Sequence, residues 1–422
     1  MRKLLLMNRT HEVCVVEYDT DYHRIAGIVE LREGADRGPL GVLTSESTSY
    51  GPGSVSEGED TGRGPLDVPA SEDTIRRRLI EWWGSRRIPD SRPGIEKNLK
   101  ALSLSSTREL TEYNHGLSLS DQYWMKDCDD ETRWQDINFF NNPFDDRVGK
   151  LLFGGMTNAS ESRGNILQTQ EYDLHVPDNT SDGNLPKRWA ILGGIRSLIK
   201  GGSFLEQEPY NEIIACDLYS RLLDSHEFVP YRLFEDSGAI CSLCPNMLSD
   251  EEEYVPALYV DRLLPYREGE GSYEHYIRCC EHLGIADAEV CLSKMLACDY
   301  LLANFDRHYR NFGIIRNVES LECRMAPLFD SGSSLWCNKR TLSEGSLAYT
   351  SLPFVGDPLL QVKLVRDYSW FLPEKLRSFS ASMITTLSEG PLRAYGMRLI
   401  TIEDAIDERI DMLVDSANSL GL

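Results

Sequence analysis

The run Asn304-Phe305-Asp306-Arg307-His308-Tyr309-Arg310-Asn311 follows the apolar stretch "DYLLA" and crowds acids, bases and amides into eight positions. That set suits phosphoryl transfer, which asks little covalent chemistry of a protein and much positioning and charge neutralisation. Asp306 and Asn311, five residues apart, have the spacing of a catalytic loop's base and of the amide that holds magnesium. The chain then reads as a hairpin: a strand "FGIIR", a turn "NVES" and a return through "LECRMAPLFDSG". It brings Asp330 back as a second metal ligand, just ahead of a Ser/Gly-rich loop. The plain alternative is a solvated network of Asp306, Arg307 and Arg310, and a lone D-x-x-x-x-N would not displace it. The hairpin and its aspartate favour the chemical reading.

Two upstream residues complete the charge set. "RSLIKG" puts Lys200 at the end of a strand, and Glu212, twelve residues on, opens the helix "NEIIACDLYSRLL". A strand lysine on the α- and β-phosphates, oriented by a helix glutamate, is the remaining pair a kinase needs. Alone, Lys200 reads as a surface lysine. No G-x-G-x-x-G loop exists; its place is taken by "DNTSDGNLPKRW". There Gly183 lets backbone approach a phosphate while Thr180, Ser181 and nearby amides offer hydrogen bonds. Ordinary turn chemistry explains Asp-Gly equally well. His308 is expected to brace the catalytic loop or touch the transferred phosphate. The adenine hinge is expected over Asn246, Met247 and Leu248, ending at Ser249, with the acids from Asp250 to Glu253 as a solvated edge.

The elements that must carry these groups fall into three sections. Residues 1–160 hold strands at "KLLLM" and "VCVVEYD", a helix at "TIRRRLIEWWGSRRI", and an aromatic run. Residues 46–67, rich in Ser, Gly and acids, predict a solvated loop. In the aromatic run, Trp124, Trp134, Phe139, Phe140 and Phe144 read as a small core or a docking surface. A linker "MTNASESRGN" closes this section. Residues 166–250 alternate short strands ("RWAILG", "RSLIKG", "YRLFE", "AICSLCPNML") with one helix, as an N-lobe does. Residues 251–422 turn mainly helical, with Cys291, Met295, Cys298 and Leu302 at helical spacing on one face. The fold class is therefore α+β, two-lobed and protein-kinase-like, with an additional N-terminal α/β subdomain.

Composition narrows the partners. The 422 residues carry 41% hydrophobic and 26% charged side chains and a formal net charge of −23. So acidic a surface repels nucleic-acid phosphates and anionic membranes. No apolar run reaches the length of a membrane span. The basic start "MRKLLLMNRTHEV" lacks a cleavage site and reads as a first strand. Eleven cysteines without an export signal predict reduced thiols in a cytoplasm. "CSLC" at Cys241 to Cys244 is half a zinc site at most, and two strand cysteines are the simpler reading.

Together, "TSDGNLPKRW", "SLIKG", the "NE" of the helix, "NFDRHYRN" and "APLFDSG" resemble the HipA-like serine/threonine kinases, toxin kinases of bacterial persistence modules and their solitary relatives. The resemblance covers about residues 170 to 335. It implies an ATP- and Mg2+-dependent enzyme acting on a Ser or Thr of a protein substrate. The spacing of Gly183 to Lys187 is similar to the family's phosphate loop, where a serine three residues before the glycine can be autophosphorylated, expelling the loop. Thr180 stands in that place here, and Ser181 follows it. The toxin modules imply a small DNA-binding antitoxin as candidate partner, with no direct nucleic-acid or membrane contact by this chain. The front 160 residues do not resemble the toxin's N-terminal subdomain; "GLSLSDQYW" and "INFFNNPFDDRVG" are similar to an uncharacterised HipA-like subgroup with its own N-terminal domain. Two alternatives stay open. "DRH-x-x-N" also resembles phosphatidylinositol kinases, for which Lys339 and Arg340 would be the headgroup cations. A nucleotide-binding pseudokinase is the other, although all five charged or amide residues are retained.

Overall fold

The computed structural model describes residues 1–43, 72–154, 172–181, 183–203 and 205–419. The loop expected over 46–67, the linker after residue 155 and Asp182 lie outside the described residues.

Strands covered on both faces read as continuous apolar runs rather than alternating ones. "KLLLM" and "VCVV" are of this kind. They form β1 (Arg2–Asn8) and β2 (His11–Asp19), an antiparallel pair flanked by β3 (Arg24–Leu31). The helices α1 (Glu72–Ser85), α2 (Ile95–Ala101) and α3 (Thr107–Tyr113) follow, and β4 (Tyr123–Asp127) then pairs with β1. The sheet order is β3-β2-β1-β4. Leu4, Leu6, Cys14 and Val16 face the main core with Trp82 and Trp83 of α1. Leu5, Met7 and Val15 face a second cluster containing Trp124, Trp134, Phe139 and Phe140, with Phe144 at its edge. The aromatic run is therefore core. It extends through α4 (Trp134–Ile137) toward α5 (Arg147–Gly154) and also encloses Leu248 and Ile315 from the two lobes.

The next sheet holds β5 (Lys187–Leu192), β6 (Ile195–Lys200), β7 (Arg232–Asp236) and β8 (Ala239–Pro245), antiparallel in the order β5-β6-β8-β7. Between β6 and β7 runs α6 (Glu208–Leu222). Pro209 sits in its first turn, where a missing N–H costs nothing. The helix thus opens at Glu208, one turn ahead of Glu212 rather than at it. Cys241 and Cys244 lie three apart on β8, hence on opposite faces.

The remaining chain carries β9 (Glu252–Pro256), α7 (Ala257–Val260), α8 (Ser272–His282), α9 (Ala288–Leu301), β10 (Gly313–Asn317), β11 (Cys323–Met325), α10 (Pro358–Gln361), α11 (Phe379–Glu389) and α12 (Gly396–Ser419). The hairpin expected after Asn311 is β10–β11, with Ile314 opposite Met325. Its other neighbour, β9, corrects the expectation of a solvated acidic edge at Glu253 alone; Glu251 is exposed, and Asp250 and Glu252 are partly so. Glu253 is 1% exposed and its carboxylate takes Arg316 at 2.6 Å. Burying the arginine of β10 is what draws the acid inward. Helix α9 is buried nearly all round, from Leu292 to Leu301, as a central helix must be.

Candidate active site

An apolar helix that buries an aspartate must supply it with a partner. Asp299, in the last turn of α9, finds two. Arg307, fully buried, grips it bidentately from Nε at 2.8 Å and Nη2 at 2.9 Å. Asn304 donates its amide to the same carboxylate at 2.8 Å, and its own Oδ1 accepts the Asp306 N–H at 3.0 Å. Arg307 reaches further, donating to Asn311 O at 2.8 Å, Phe329 O at 2.5 Å and Ser331 Oγ at 3.0 Å. One guanidinium thus ties the helix end, the catalytic loop and the segment around Asp330. This corrects the reading of Arg307 as part of a solvated network. An acid inside "LACDYLL" was the signal in the sequence that a buried cation had to follow.

On that base the loop presents its chemistry. Asp306 is half-exposed, with Ser333 Oγ donating to Oδ2 at 3.3 Å. Burial, with Asp330 adding to it, raises its carboxyl above the ordinary value against the pull of His308. The His308 ring accepts the Arg310 N–H at Nδ1, 3.2 Å, so its Nε2 carries the proton and lies 3.9 Å from Asp306 Oδ1. This bond ties the His308 ring to its own loop. Asn311 donates its amide to Asp306 O at 2.9 Å, which leaves its Oδ1 with no hydrogen bond among the described residues.

Opposite stands the ion-pair set. Lys200 Nζ donates to Glu212 Oε1 at 2.6 Å and to Asp330 Oδ1 at 2.5 Å. Asp330 adopts a left-handed backbone, φ +56°, a strained choice for a non-glycine residue that recurs at functional sites. Burial pushes its carboxyl up, but Lys200, with Lys187 and Arg307 beyond, more than reverses this and holds it below the usual range. Burial raises the Glu212 carboxyl, against Lys200. Glu212 also accepts the Ser331 N–H at 3.0 Å through Oε2. Tyr231, absent from the sequence reading, lies with its ring centre 5.4 Å from Lys200 Nζ.

The nucleotide-side residues divide. Lys187 is the cross-strand partner of Lys200, and two like charges in register repel unless anions face them. Gly183, φ +92°, sits so near that a Cβ on it would meet Lys187 Nζ at 2.7 Å. Thr180 and Ser181, by contrast, are buried and donate their hydroxyls to backbone: Thr180 to Leu117 O at 2.9 Å, Ser181 to Asp178 O at 2.9 Å. They are not turned to a phosphate. At the hinge, Asn246 donates to Leu119 O at 3.1 Å and accepts the Leu248 N–H at 3.3 Å, while Met247 and Leu248 pack on the aromatic cluster.

Among the described residues no three His, Cys, Asp or Glu side chains cluster as a metal cage. Magnesium in phosphoryl transfer needs only one or two protein ligands beside phosphate oxygens and water. Asn311 Oδ1 and the Asp330 carboxylate fit that need.

No protein-family model matches the chain. The serine/threonine-protein kinase CtkA of Helicobacter pylori is 50% identical over 42 residues, 10% of this chain and 13% of that kinase. A crystal structure of the proinflammatory kinase CtkA from H. pylori overlays with a TM-score of 0.44 at 18% identity, covering 57% of this chain and 94% of that one. A chain of the Shewanella oneidensis MR-1 toxin–antitoxin complex of HipA, HipB and operator DNA overlays with a TM-score of 0.51 at 11% identity, covering 99% of both. The fold is HipA-like. The overlay spans the front 160 residues as well, although their sequence did not resemble the toxin's own front subdomain.

Proposed function

We propose that this chain is an ATP- and Mg2+-dependent serine/threonine protein kinase of the HipA-like type. The observation that carries the reading is Lys200 held between Glu212 and Asp330, with Asp306 and Asn311 on a loop that Arg307 ties to the residues on either side of Asp330. Lys200 and Lys187 meet the nucleotide's phosphates, with Glu212 holding Lys200 in place. Asn311 and Asp330 hold magnesium, which supplies charge neutralisation on the phosphates. Asp306 orients the acceptor hydroxyl and takes its proton, and its raised carboxyl pKa moves it toward that task. Adenine lies against the hinge from Asn246 to Leu248. The substrate is a protein bearing a Ser or Thr.

Self-phosphorylation at Thr180 or Ser181 belongs to the same reading. Both hydroxyls are buried and hydrogen-bonded with the loop seated, so the loop must leave its place first. A lipid kinase is disfavoured because Lys339, one of its two expected headgroup cations, donates to Ser346 O and Ala348 O, each at 2.5 Å. No helix among the described residues is long and apolar enough to cross a membrane. Action in the cytoplasm beside a small DNA-binding antitoxin, as the HipB of the Shewanella complex suggests, completes the proposal.

The test is Asp306→Asn, which keeps shape and removes the charge. Label transfer from γ-labelled ATP to cell protein should fall a hundredfold or more, on the order expected for a positioned base, with MgATP binding retained. Transfer at the wild-type rate would sink the assignment.

A further inference from the structure

The phosphate loop is fastened from outside its own lobe. Arg92, between α1 and α2 in the front section, is 3% exposed. Its Nε and Nη2 donate to Gly183 O at 3.1 and 2.9 Å. The same Nη2 donates to Ser181 O at 2.6 Å, and Nη1 to Ser181 Oγ at 3.3 Å. Ser91 adds a bond to Asn184 Oδ1 at 3.0 Å. Behind them Asn114 donates to Val176 O, and Asn179 to Leu110 O, each at 3.0 Å. Val176, Asn179, Ser181, Gly183 and Asn184 are thus each tied to residues between 91 and 117.

We propose that the front section is the seat of the phosphate loop, and that Arg92 is a positioning residue that fixes Ser181 and Gly183 above Lys187 before nucleotide arrives. The inference rests on the kinase reading, since it takes this loop to hold ATP's phosphates. The physical case has two parts. A glycine at positive φ gains its freedom at an entropic cost, so a turn built on Gly183 is expensive to order without external ties. Charge-assisted bonds from a buried guanidinium are about twice as strong as neutral ones, and three of the four here end on carbonyls that no side-chain change on the loop can remove. Without Arg92 only a fraction of molecules would hold the loop seated, and apparent nucleotide affinity falls by that fraction. Once nucleotide is bound, Asp306, Asn311 and Asp330 are untouched. The signature is therefore a rise in the KM for ATP with kcat preserved, and it gives the front section a role in catalysis without contact with substrate.

The experiment compares full-length wild type, Arg92→Ala, Arg92→Lys and Ser91→Ala. It reads the MgATP dissociation constant by calorimetry, KM and kcat for ATP, and hydrogen exchange at the Ser181 amide without nucleotide. Arg92→Ala should weaken MgATP about tenfold, leave kcat within about twofold and speed exchange at Ser181, as expected for a tenfold drop in the seated fraction. Arg92→Lys, able to reach one carbonyl, should fall between. Should Arg92→Ala fail to fold, Ser91→Ala, a lighter change at the exposed side of the same seat, should still weaken MgATP about twofold. Unchanged affinity in the folded variants overturns the inference while leaving the kinase reading intact. A wild-type protein that binds no MgATP overturns both.

Discussion

The proposed catalytic loop and the proposed phosphate loop are held in different ways. The first is fastened mostly by near neighbours in the chain. Asn311 reaches Asp306 across 5 residues, Arg307 reaches Asp299 across 8 and Ser331 across 24, and Ser333 reaches Asp306 across 27, while one longer tie, Tyr254 to Arg310, spans 56. The second is fastened remotely: Asn114 to Val176 spans 62 residues, Thr180 to Leu117 63, and Arg92 to Gly183 91. The proposed catalytic loop carries most of its scaffold with it in the chain. The proposed phosphate loop borrows one, so on the kinase reading whatever shifts the front section is positioned to shift nucleotide affinity.

The largest expected effect tests the local scaffold. Arg307→Leu leaves the Asp299 carboxylate buried with only Asn304 beside it, and removing one partner of a buried pair costs about 3–5 kcal/mol. Unfolding by denaturant should show that loss. The double variant Arg307→Leu with Asp299→Leu should regain much of it, because no charge is then stranded. A single variant as stable as wild type would mean that the loop does not depend on this pair.

Next in size is the metal. At a hundred times its dissociation constant, a ligand that binds only the folded state adds about 2.7 kcal/mol. ATP should therefore raise the melting temperature in the presence of magnesium and not in its absence, and Asp330→Ala should abolish the shift. An equal shift in the variant would remove Asp330 from the metal site.

The same contrast explains what could be read from the sequence. That Lys200, Glu212 and Asp330 come together could be read from their order in the chain, because phosphoryl transfer asks for such a charge set; the roles of these three, and of Asp306 and Asn311, are what the proposal adds. The strands "KLLLM", "RSLIKG" and "FGIIR" were legible from their apolar runs. β3 and β4 were not: "RIAGIVEL" ends in exposed residues, and "YWMKD" hid inside the aromatic run. Glu253 was missed because its partner Arg316 lies 63 residues away. Arg92 had no local signal at all. In "RRIPDSRPG" it is one arginine among three, and only the folded chain shows that this one is buried against a loop 89 to 91 residues on. Thr180 and Ser181 looked like phosphate or acceptor groups because serine and threonine before a glycine serve both ends. Their hydroxyls cap the local turn, Thr180 to Pro177 O and Ser181 to Asp178 O, and of the bonds they donate only that of Thr180 to Leu117 O is tertiary information.

The smallest effect concerns the base of the borrowed loop and its pH dependence. Asp178 is fully buried; its Oδ1 accepts the Trp189 N–H at 2.8 Å, while Oδ2 has no hydrogen-bond partner among the described residues. Gly149 of α5 makes room for it, since a Cβ there would lie 2.7 Å from Oδ2. Burial raises this carboxyl to about 7, against the Trp189 bond and the charges of Arg188 and Arg92. The unfolded chain releases the same proton at the ordinary carboxylate pKa, near 3.9. A folded value above the unfolded one means stability that is complete below about pH 4 and lost as pH rises through about 7. Between pH 8 and pH 6 the folded state takes up most of one proton that the unfolded state does not, worth about 1.4 kcal/mol per pH unit once the slope is complete. Because the midpoint falls inside that window, the expected gain on going from pH 8 to pH 6 is about one such unit. Asp178→Asn cannot titrate, so its unfolding free energy should lack this increment while sharing every other pH-dependent change with wild type. Equilibrium unfolding of both proteins at pH 6 and pH 8 isolates the difference. Parallel profiles would show that Asp178 does not change protonation between pH 6 and pH 8, and that burial does not lift its carboxyl into that window.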